Sequence, residues 1–185
     1  MLKNSRRRYG LVAVLLHWII AVGVIGEFAL GLYMTGMDYY NRMSQFLPYL
    51  HESIGILLAG AIFLRIAWSI ANPRPAPGSG VGPLARAVSR LVQFCMQLLL
   101  VAIVVFGYLL STADGEGIPV FDWFTLPALM DTEIKGEEDI FLFLHYWLAW
   151  AVIALACLHM LGALKHHFVD RDETLRNMLG LGNAD

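Results

Sequence analysis

The chain has 185 residues, of which 58% are hydrophobic and only 15% are charged. Soluble domains usually contain about 45–50% apolar and about 25% charged residues, so this composition excludes an ordinary soluble protein. The formal net charge of -2 is small and indicates no particular partner, and we expect no nucleic-acid partner.

Four apolar blocks predict four membrane-spanning helices. A transmembrane helix needs about 20 predominantly apolar residues, and blocks of this kind cover about 11–34, 51–70, 91–110 and 140–164. We therefore predict an all-α fold, an integral membrane four-helix bundle that forms a single domain over residues 1–185. The segment between the second and third blocks is rich in Pro and Gly and is predicted to be a connector. The remaining tails and loops leave no room for a separate soluble catalytic domain.

The basic tail before the first block suggests either a cleaved signal peptide or a retained helix. The apolar run is too long for a signal peptide, His17 and Trp18 interrupt its start, and no small-x-small cleavage pattern ends it. We predict a retained helix. Cys95 and Cys157 lie inside apolar blocks, which favours small buried side chains over a disulfide framework. The absence of a C-x-x-C-H motif excludes covalent c-type haem attachment.

The distribution of charge predicts the orientation. An even number of spans places both termini on one side, and that side would hold 11 of the 13 Lys and Arg residues. Loops rich in Lys and Arg stay in the cytoplasm, so both termini are predicted to be cytoplasmic. The long outer loop over 111–139 is acidic. Its acidic residues are Asp114, Glu116, Asp122, Asp131, Glu133, Glu137, Glu138 and Asp139.

Four of the six histidines lie in or at the edge of the predicted spans, where a histidine marks a functional site by default. His17 belongs to the cytoplasmic half of the first helix, and His51 begins the second helix near the outer face. His145 also lies near the outer face, and His159 follows 14 residues later, about 21 Å deeper at 1.5 Å per residue. Because 14 residues make nearly four turns, the two project from almost the same face. The histidines therefore form an outer pair, His51 with His145, and an inner pair, His17 with His159.

Two histidines at one depth on different helices suit bis-imidazole ligation of a haem iron. Small residues at helical spacing from each histidine would let a flat macrocycle approach the backbone. They also favour plain helix packing in membranes, and a single membrane histidine often only bonds a neighbouring helix. These small residues are Ala13, Ala21, Gly55, Ala149, Gly162 and Ala163. The four paired histidines are the predicted metal and cofactor ligands.

Other polar residues near the membrane allow two interpretations each. His166 and His167 at the cytoplasmic end of the fourth helix are expected to be interfacial side chains, and the alternative is a contact with a quinone headgroup. Glu27 serves either proton uptake or a haem-edge contact, or it snorkels to the outer surface. For Arg65, an ordinary positive-inside anchor is favoured over a haem-propionate partner.

Several motifs, in order along nearly the whole chain, resemble the bacterial cytochrome b561 family. They are R-Y-G-x6-H-W around His17, L-H-x3-G around His51, N-P-R-P-A-P at 72–77, the H-x13-H spacing of His145 and His159, K-H-H-F at 165–168 and D-R-D-x-T-L-R at 170–176. The resemblance implies a bacterial inner-membrane protein with two haem b groups, whose ligands fall on the same four histidines. It also implies electron transfer across the bilayer, with ubiquinone as the acceptor on the cytoplasmic side.

The resemblance leaves the electron donor open. One family activity is oxidation of superoxide at the outer face with reduction of ubiquinone, but an acidic outer loop disfavours capture of an anion. A second hypothesis makes the chain the haem-bearing anchor subunit of a larger dehydrogenase or reductase, with a periplasmic donor protein docked on the outer loop. A third makes it a metal-ion transporter. Transporters usually have broken helices and midplane sites, whereas these histidines lie at two levels and no proline interrupts a predicted span.

Overall fold

Long helices account for most of the chain. The computed structural model describes residues 1–5, 8–38, 40–73, 75, 82–129 and 136–181. In these ranges four long helices follow one another: α1 (Leu11–Thr35), α2 (Phe46–Ala71), α3 (Pro83–Ser111) and α4 (Glu137–Phe168). All four are long and apolar enough to cross a membrane. The predicted class, an all-α integral membrane protein with four spans, is therefore confirmed, and the chain is a multi-pass membrane protein.

Some predicted features lie outside the described residues. They are Arg6 and Arg7 of the basic tail, Arg74 and residues 76–81 of the connector, and residues 130–135 of the acidic outer loop.

Each helix extends beyond its predicted apolar block. α2 begins at Phe46 rather than near residue 51, and α3 begins at Pro83 rather than near residue 91. Hydropathy identifies the part of a helix that belongs in hydrocarbon, whereas backbone hydrogen bonding continues into the polar ends. Proline suits the first position of a helix because its missing N–H would have no partner there. The charges at the two ends of α4 stabilise its terminal turns because they complement the helix dipole. Acidic residues occupy its first turn, and Lys165, His166 and His167 occupy its last.

The four helices contribute to two compact units. One contains Met1–Ile20, Ala61–Leu98 and Ala154–Asp185, and the other contains Ala21–Gly60 and Leu99–Ile153. We call them the inner unit and the outer unit, after the predicted cytoplasmic and outer sides. The single domain over 1–185 stays a prediction.

Many large apolar side chains of the helices are exposed. Ile62, Val120 and Val152 are among the few side chains that are almost completely buried. Others are more than half exposed, among them Ile19, Val22, Phe63, Phe94, Leu98, Phe143 and Leu158. An apolar surface of this extent is unfavourable in water and is expected where lipid surrounds the helices.

A small β-hairpin follows α3 in the outer unit. Strands β1 (Ile118–Val120) and β2 (Phe124–Leu126) pair antiparallel, with Val120 opposite Phe124. The Trp123 N–H donates to the Val120 carbonyl at 2.9 Å and closes the turn. Both central residues of this turn, Phe121 and Asp122, have positive φ, the combination that matches the twist of a tight hairpin. A short helix, α5 (Thr174–Met178), ends the described chain in the inner unit.

Candidate functional site

The outer histidine pair comes together in the outer unit. His51, from α2, and His145, from α4, have ring centroids 6.1 Å apart and ring planes at 84°. Both side chains are half-buried. Two imidazole rings from different helices therefore lie next to one another, with perpendicular planes.

The backbone of α3 fixes the ring of His145. Its Nδ1 atom lies 3.0 Å from the carbonyl oxygen of Ile103, which can only accept a hydrogen bond, so Nδ1 carries the proton and Nε2 is left with a free lone pair. One turn further along α3, a Cβ atom on Gly107 would lie 2.8 Å from Cε1 of the same ring. Since real Cβ atoms do not approach so closely, a larger residue at this position would have to displace the His145 ring.

A carboxylate from α1 contacts the ring of His51. Oε2 of Glu27 lies 2.5 Å from Nδ1 of His51, and the two side chains are only 12% and 23% exposed. Both atoms are buried, and the part of the chain that the structure describes offers neither of them another hydrogen-bond partner. Since buried polar groups are normally paired, Nδ1–H of His51 donates a hydrogen bond to Oε2 of Glu27. Snorkelling to the outer surface, one of the alternatives for Glu27, is therefore disfavoured.

The hairpin is anchored two residues beyond His51. Ser53 is completely buried; its hydroxyl donates to the Pro119 carbonyl and accepts from the Phe121 N–H, each at 3.2 Å. The ring of Phe121 also packs against Tyr49 of α2, with centroids 6.4 Å apart. These contacts hold the hairpin against the same end of α2 that carries His51.

The inner histidine pair comes together in the inner unit. His17, from α1, and His159, from α4, have ring centroids 6.3 Å apart and ring planes at 71°. Arg65, from α2, is close enough to act electrostatically on both rings and is only half-exposed. Arg65 therefore lies within electrostatic range of the histidines, although the sequence favoured a simple anchor in the membrane interface.

The C-terminal segment is fastened beside this pair. The indole Nε1 of Trp18, the residue after His17, donates to the Met178 carbonyl at 2.8 Å. The Trp18 ring also lies edge-on to His17, with centroids 5.3 Å apart. Residues at the end of α5 thus contact the helix turn that carries one histidine of the inner pair.

A polar cluster follows at the end of α4. Nζ of Lys165 donates to both carboxylate oxygens of Asp170, at 3.0 and 2.7 Å. Nδ1 of His166 lies 3.0 Å from Asp170 and 2.9 Å from Asp172. The hydrogen bond from Lys165 is the main reason that the pKa of Asp170 lies below its usual value, and the charges of Lys165 and His166 lower it further.

The structure brings together both histidine pairs that the sequence predicts, while their role as ligands stays a prediction. Among the described residues, a Cβ added to Gly55 or Gly162 would meet nothing within 4 Å outside its own stretch of helix, so the backbone beside His51 and His159 has room for a flat ligand. Sequence reasoning missed the carbonyl of Ile103, the close approach at Gly107 and the role of Ser53. It noted Glu27 without its partner, because no sequence motif links Glu27 to His51.

Comparison with known proteins gives consistent matches over nearly the whole chain. Residues 8–181 match the family model described as prokaryotic cytochrome b561. The chain is 43% identical over 182 residues to cytochrome b561 homolog 2 of Escherichia coli (strain K12), which covers 98% of this chain and 96% of that protein. It is 23% identical over 177 residues to the probable superoxide oxidase CybB of Yersinia pestis, which covers 94% of this chain and 96% of that protein.

Proposed function

The chain belongs to the prokaryotic cytochrome b561 family, which implies a membrane cytochrome with haem b, and we propose that it carries electrons across the membrane with two haems. In this proposal His51 and His145 hold the outer haem, and His17 and His159 hold the inner one. The chain lies in the bacterial inner membrane with both termini in the cytoplasm, because 11 of its 13 basic residues then fall on the cytoplasmic side.

The spacing of the paired rings is the observation that carries the proposal. A metal–nitrogen bond of about 2.0 Å and about 1.2 Å from nitrogen to ring centre place two centroids about 6.4 Å apart across one metal ion. The pairs have centroid separations of 6.1 and 6.3 Å. The acceptors at Nδ1 of His145 and His51 leave the lone pair of each Nε2 available to bind a metal ion.

The composition of each pair favours haem over a bare metal ion. A haem iron needs only two protein ligands because the macrocycle supplies the other four. Among the residues that the structure describes, no group of three or more His, Cys, Asp and Glu side chains could hold a metal ion on its own. This supports the cytochrome and disfavours the metal-ion transporter.

Each bound haem supplies a one-electron ferric/ferrous couple, while the protein determines its position, environment and potential. His145 and His159 lie 14 residues apart within α4, which is about 21 Å at the helical rise of 1.5 Å per residue. In the proposal, this one helix therefore contributes one ligand to each haem. The electron acceptor in the proposal is ubiquinone, bound near the cytoplasmic end of α4 where Lys165, His166 and His167 lie.

One candidate electron donor is superoxide, because the relative from Yersinia pestis bears the name of a probable superoxide oxidase. The alternative is a haem-bearing anchor subunit of a dehydrogenase or reductase, with a periplasmic protein as donor. Two observations favour a docked protein over an anion. The outer loop is acidic, and the Trp123 side chain at the tip of the hairpin is 72% exposed.

The deciding experiment is a dithionite-reduced minus oxidised visible spectrum of the purified protein, with haem quantified per chain. We expect two low-spin b haems per chain. One haem would show that one pair is misassigned, and no haem from cells able to supply it would refute the proposal.

A second experiment tests direction and donor. In oriented vesicles that contain ubiquinone, we expect a donor on the outer side to reduce the haems before the quinone. Reduction by quinol alone, with no response to superoxide or to any outer donor, would reverse the proposed direction. Co-purification of a stoichiometric partner in mild detergent would favour the anchor subunit.

A further inference from the structure

The two histidine pairs differ in the charges placed beside them. A carboxylate, Glu27, contacts His51 of the outer pair at 2.5 Å. The charged group that acts on both histidines of the inner pair is a guanidinium, that of Arg65. The second histidine of the outer pair, His145, donates to a neutral backbone carbonyl. Negative charge thus lies beside one pair and positive charge beside the other.

The position of Glu27 is costly and therefore informative. A carboxylate inside a membrane span is unfavourable unless it is paired, and this one is 12% exposed. Gly31, one turn further along α1, faces the same histidine, since a Cβ there would lie 3.8 Å from Cε1 of His51. Glu27 and Gly31 together bring α1 against the edge of the ring that carries Nδ1 and Cε1. This leaves Nε2 as the ring nitrogen of His51 that is available to bind a metal ion.

A carboxylate acceptor changes the chemistry of a ligating imidazole. It fixes the tautomer and the ring orientation and makes the ligand more basic. A more basic axial ligand donates more charge to the iron and stabilises the ferric state over the ferrous state, and second-shell hydrogen bonding is one of the means by which a protein sets a haem potential. A nearby positive charge has the opposite effect, because the reduced centre carries one more electron.

We propose that Glu27 is a positioning residue that holds His51 as an electron-rich ligand and makes the outer haem the lower-potential haem of the two. The inference rests on the proposed function, since it requires one haem in each histidine pair. With a haem held in each pair, this order of potentials would make electron transfer from the outer haem to the inner haem energetically favourable, once a donor has reduced the outer haem. The order of potentials favours transfer from the outer face toward the cytoplasm.

The test is a redox titration of the purified holoprotein at one pH, followed by visible and EPR spectra. The component that disappears in His145→Ala identifies the outer haem. We expect Glu27→Gln to keep two haems per chain and to raise the outer potential by about 59 mV, a tenfold change in the equilibrium constant for one electron. The inner potential should stay unchanged, and the EPR signal of the outer ferric haem should shift because its ligand has become less basic.

Two further variants distinguish a specific effect of Glu27 on the outer potential from the loss of any nearby negative charge and from a disruption of the haem site. Glu52→Gln removes a carboxylate next to His51 in the sequence and is expected to leave both potentials unchanged. Glu27→Asp keeps the carboxylate and is expected to stay near the wild-type potential. If Glu27→Gln loses the outer haem, a near-wild-type potential in Glu27→Asp still supports the proposal. Loss of the outer haem from both variants overturns it and assigns Glu27 to haem retention alone.

Other outcomes overturn the inference without touching the proposed function. These are two haems with unchanged potentials in Glu27→Gln, an equal shift in Glu52→Gln, and a wild-type outer haem with the higher potential. Failure of the proposed function has a different signature, since the wild-type protein itself would then contain fewer than two haems.

Discussion

The outer and inner histidine pairs are built to the same plan but in different surroundings. Their ring centroids are 6.1 and 6.3 Å apart, so each pair suits one iron. The outer pair has a carboxylate and a carbonyl at its Nδ1 atoms, whereas the inner pair faces the guanidinium of Arg65. In the proposed function, this difference in surroundings gives the two haems unequal potentials.

The largest expected effect comes from removing a ligand. His51→Ala and His145→Ala should each abolish the outer haem alone, and His17→Ala and His159→Ala the inner haem alone, because in the proposed function each pair would hold one iron. The number of haems per chain should fall from two to one in every variant, and the reduction potential of the haem that is retained shows which of the two it is. His167→Ala is the matched control and should retain two haems.

If two variants from the same pair retained haems of different potential, the two histidines of that pair would not hold the same haem. Retention of two haems in all four variants would refute the assignment of the ligands.

The histidine pairs were predictable from sequence because their depth follows from helix arithmetic. An apolar block gives the direction of each helix, and 1.5 Å per residue gives the depth of each histidine. The helix ends were less predictable. Polar residues such as Arg86 and Arg90 of α3 lie outside any apolar block, yet the helix continues through them.

The surroundings of each pair depend on how neighbouring helices face one another, and the sequence does not record that rotation. Glu27 and His51 are 24 residues apart on different helices, so nothing local links them. The hairpin was missed for a related reason. Its strands have only three residues each, and the buried hydroxyl of Ser53 on another helix helps to hold it in place.

The second prediction concerns the close approach of α3 to the outer pair. Gly107→Val should displace the ring of His145, since even a Cβ would lie 2.8 Å from Cε1. Overpacking of this kind costs about 1–3 kcal/mol, and we expect partial loss of the outer haem with the inner haem intact. Gly60→Ala is the control, because a Cβ at Gly60 meets nothing within 4 Å. Full outer-haem content in Gly107→Val, measured by the pyridine haemochrome, would contradict the prediction.

The third prediction concerns the hairpin beside the outer pair. Ser53→Ala leaves the Pro119 carbonyl and the Phe121 N–H without their buried partner, which costs about 1–3 kcal/mol. Hydrogen exchange over residues 118–126, followed by mass spectrometry, should become at least about fivefold faster, because local opening requires less free energy. Ser69→Ala, which removes an exposed hydroxyl on α2, should not change this exchange. Equal exchange in wild type and Ser53→Ala would show that the hairpin is held by other contacts.

The fourth prediction concerns the positive charge of Arg65 near the inner histidine pair. Arg65→Gln should lower the potential of the inner haem, because a positive charge near the histidines favours the reduced state. An interaction of about 1 kcal/mol corresponds to roughly 43 mV for one electron. Arg90→Gln, which removes an exposed charge on α3, is the control and should have little effect. A fall in the outer potential instead of the inner one would contradict the placement of Arg65.

The smallest effect is expected at the cytoplasmic end, where the ion pair of Lys165 and Asp170 is exposed. The hydrogen bond from Lys165 holds the pKa of Asp170 below its usual value, so the folded state favours the carboxylate. Its stabilising contribution is therefore complete above the ordinary aspartate pKa of about 3.9 and is lost as the pH falls through the lowered value.

Hydrogen exchange over residues 169–178, corrected for intrinsic rates, should become faster in the wild type only below about pH 4. Asp170→Asn should exchange faster at neutral pH and lose this acid step, whereas an acid step of equal size in both proteins would assign it to another group. The outer hairpin is anchored in part by the neutral hydroxyl of Ser53 and does not involve Asp170, so Asp170→Asn should leave the exchange of residues 118–126 unchanged and confine the effect to the inner unit.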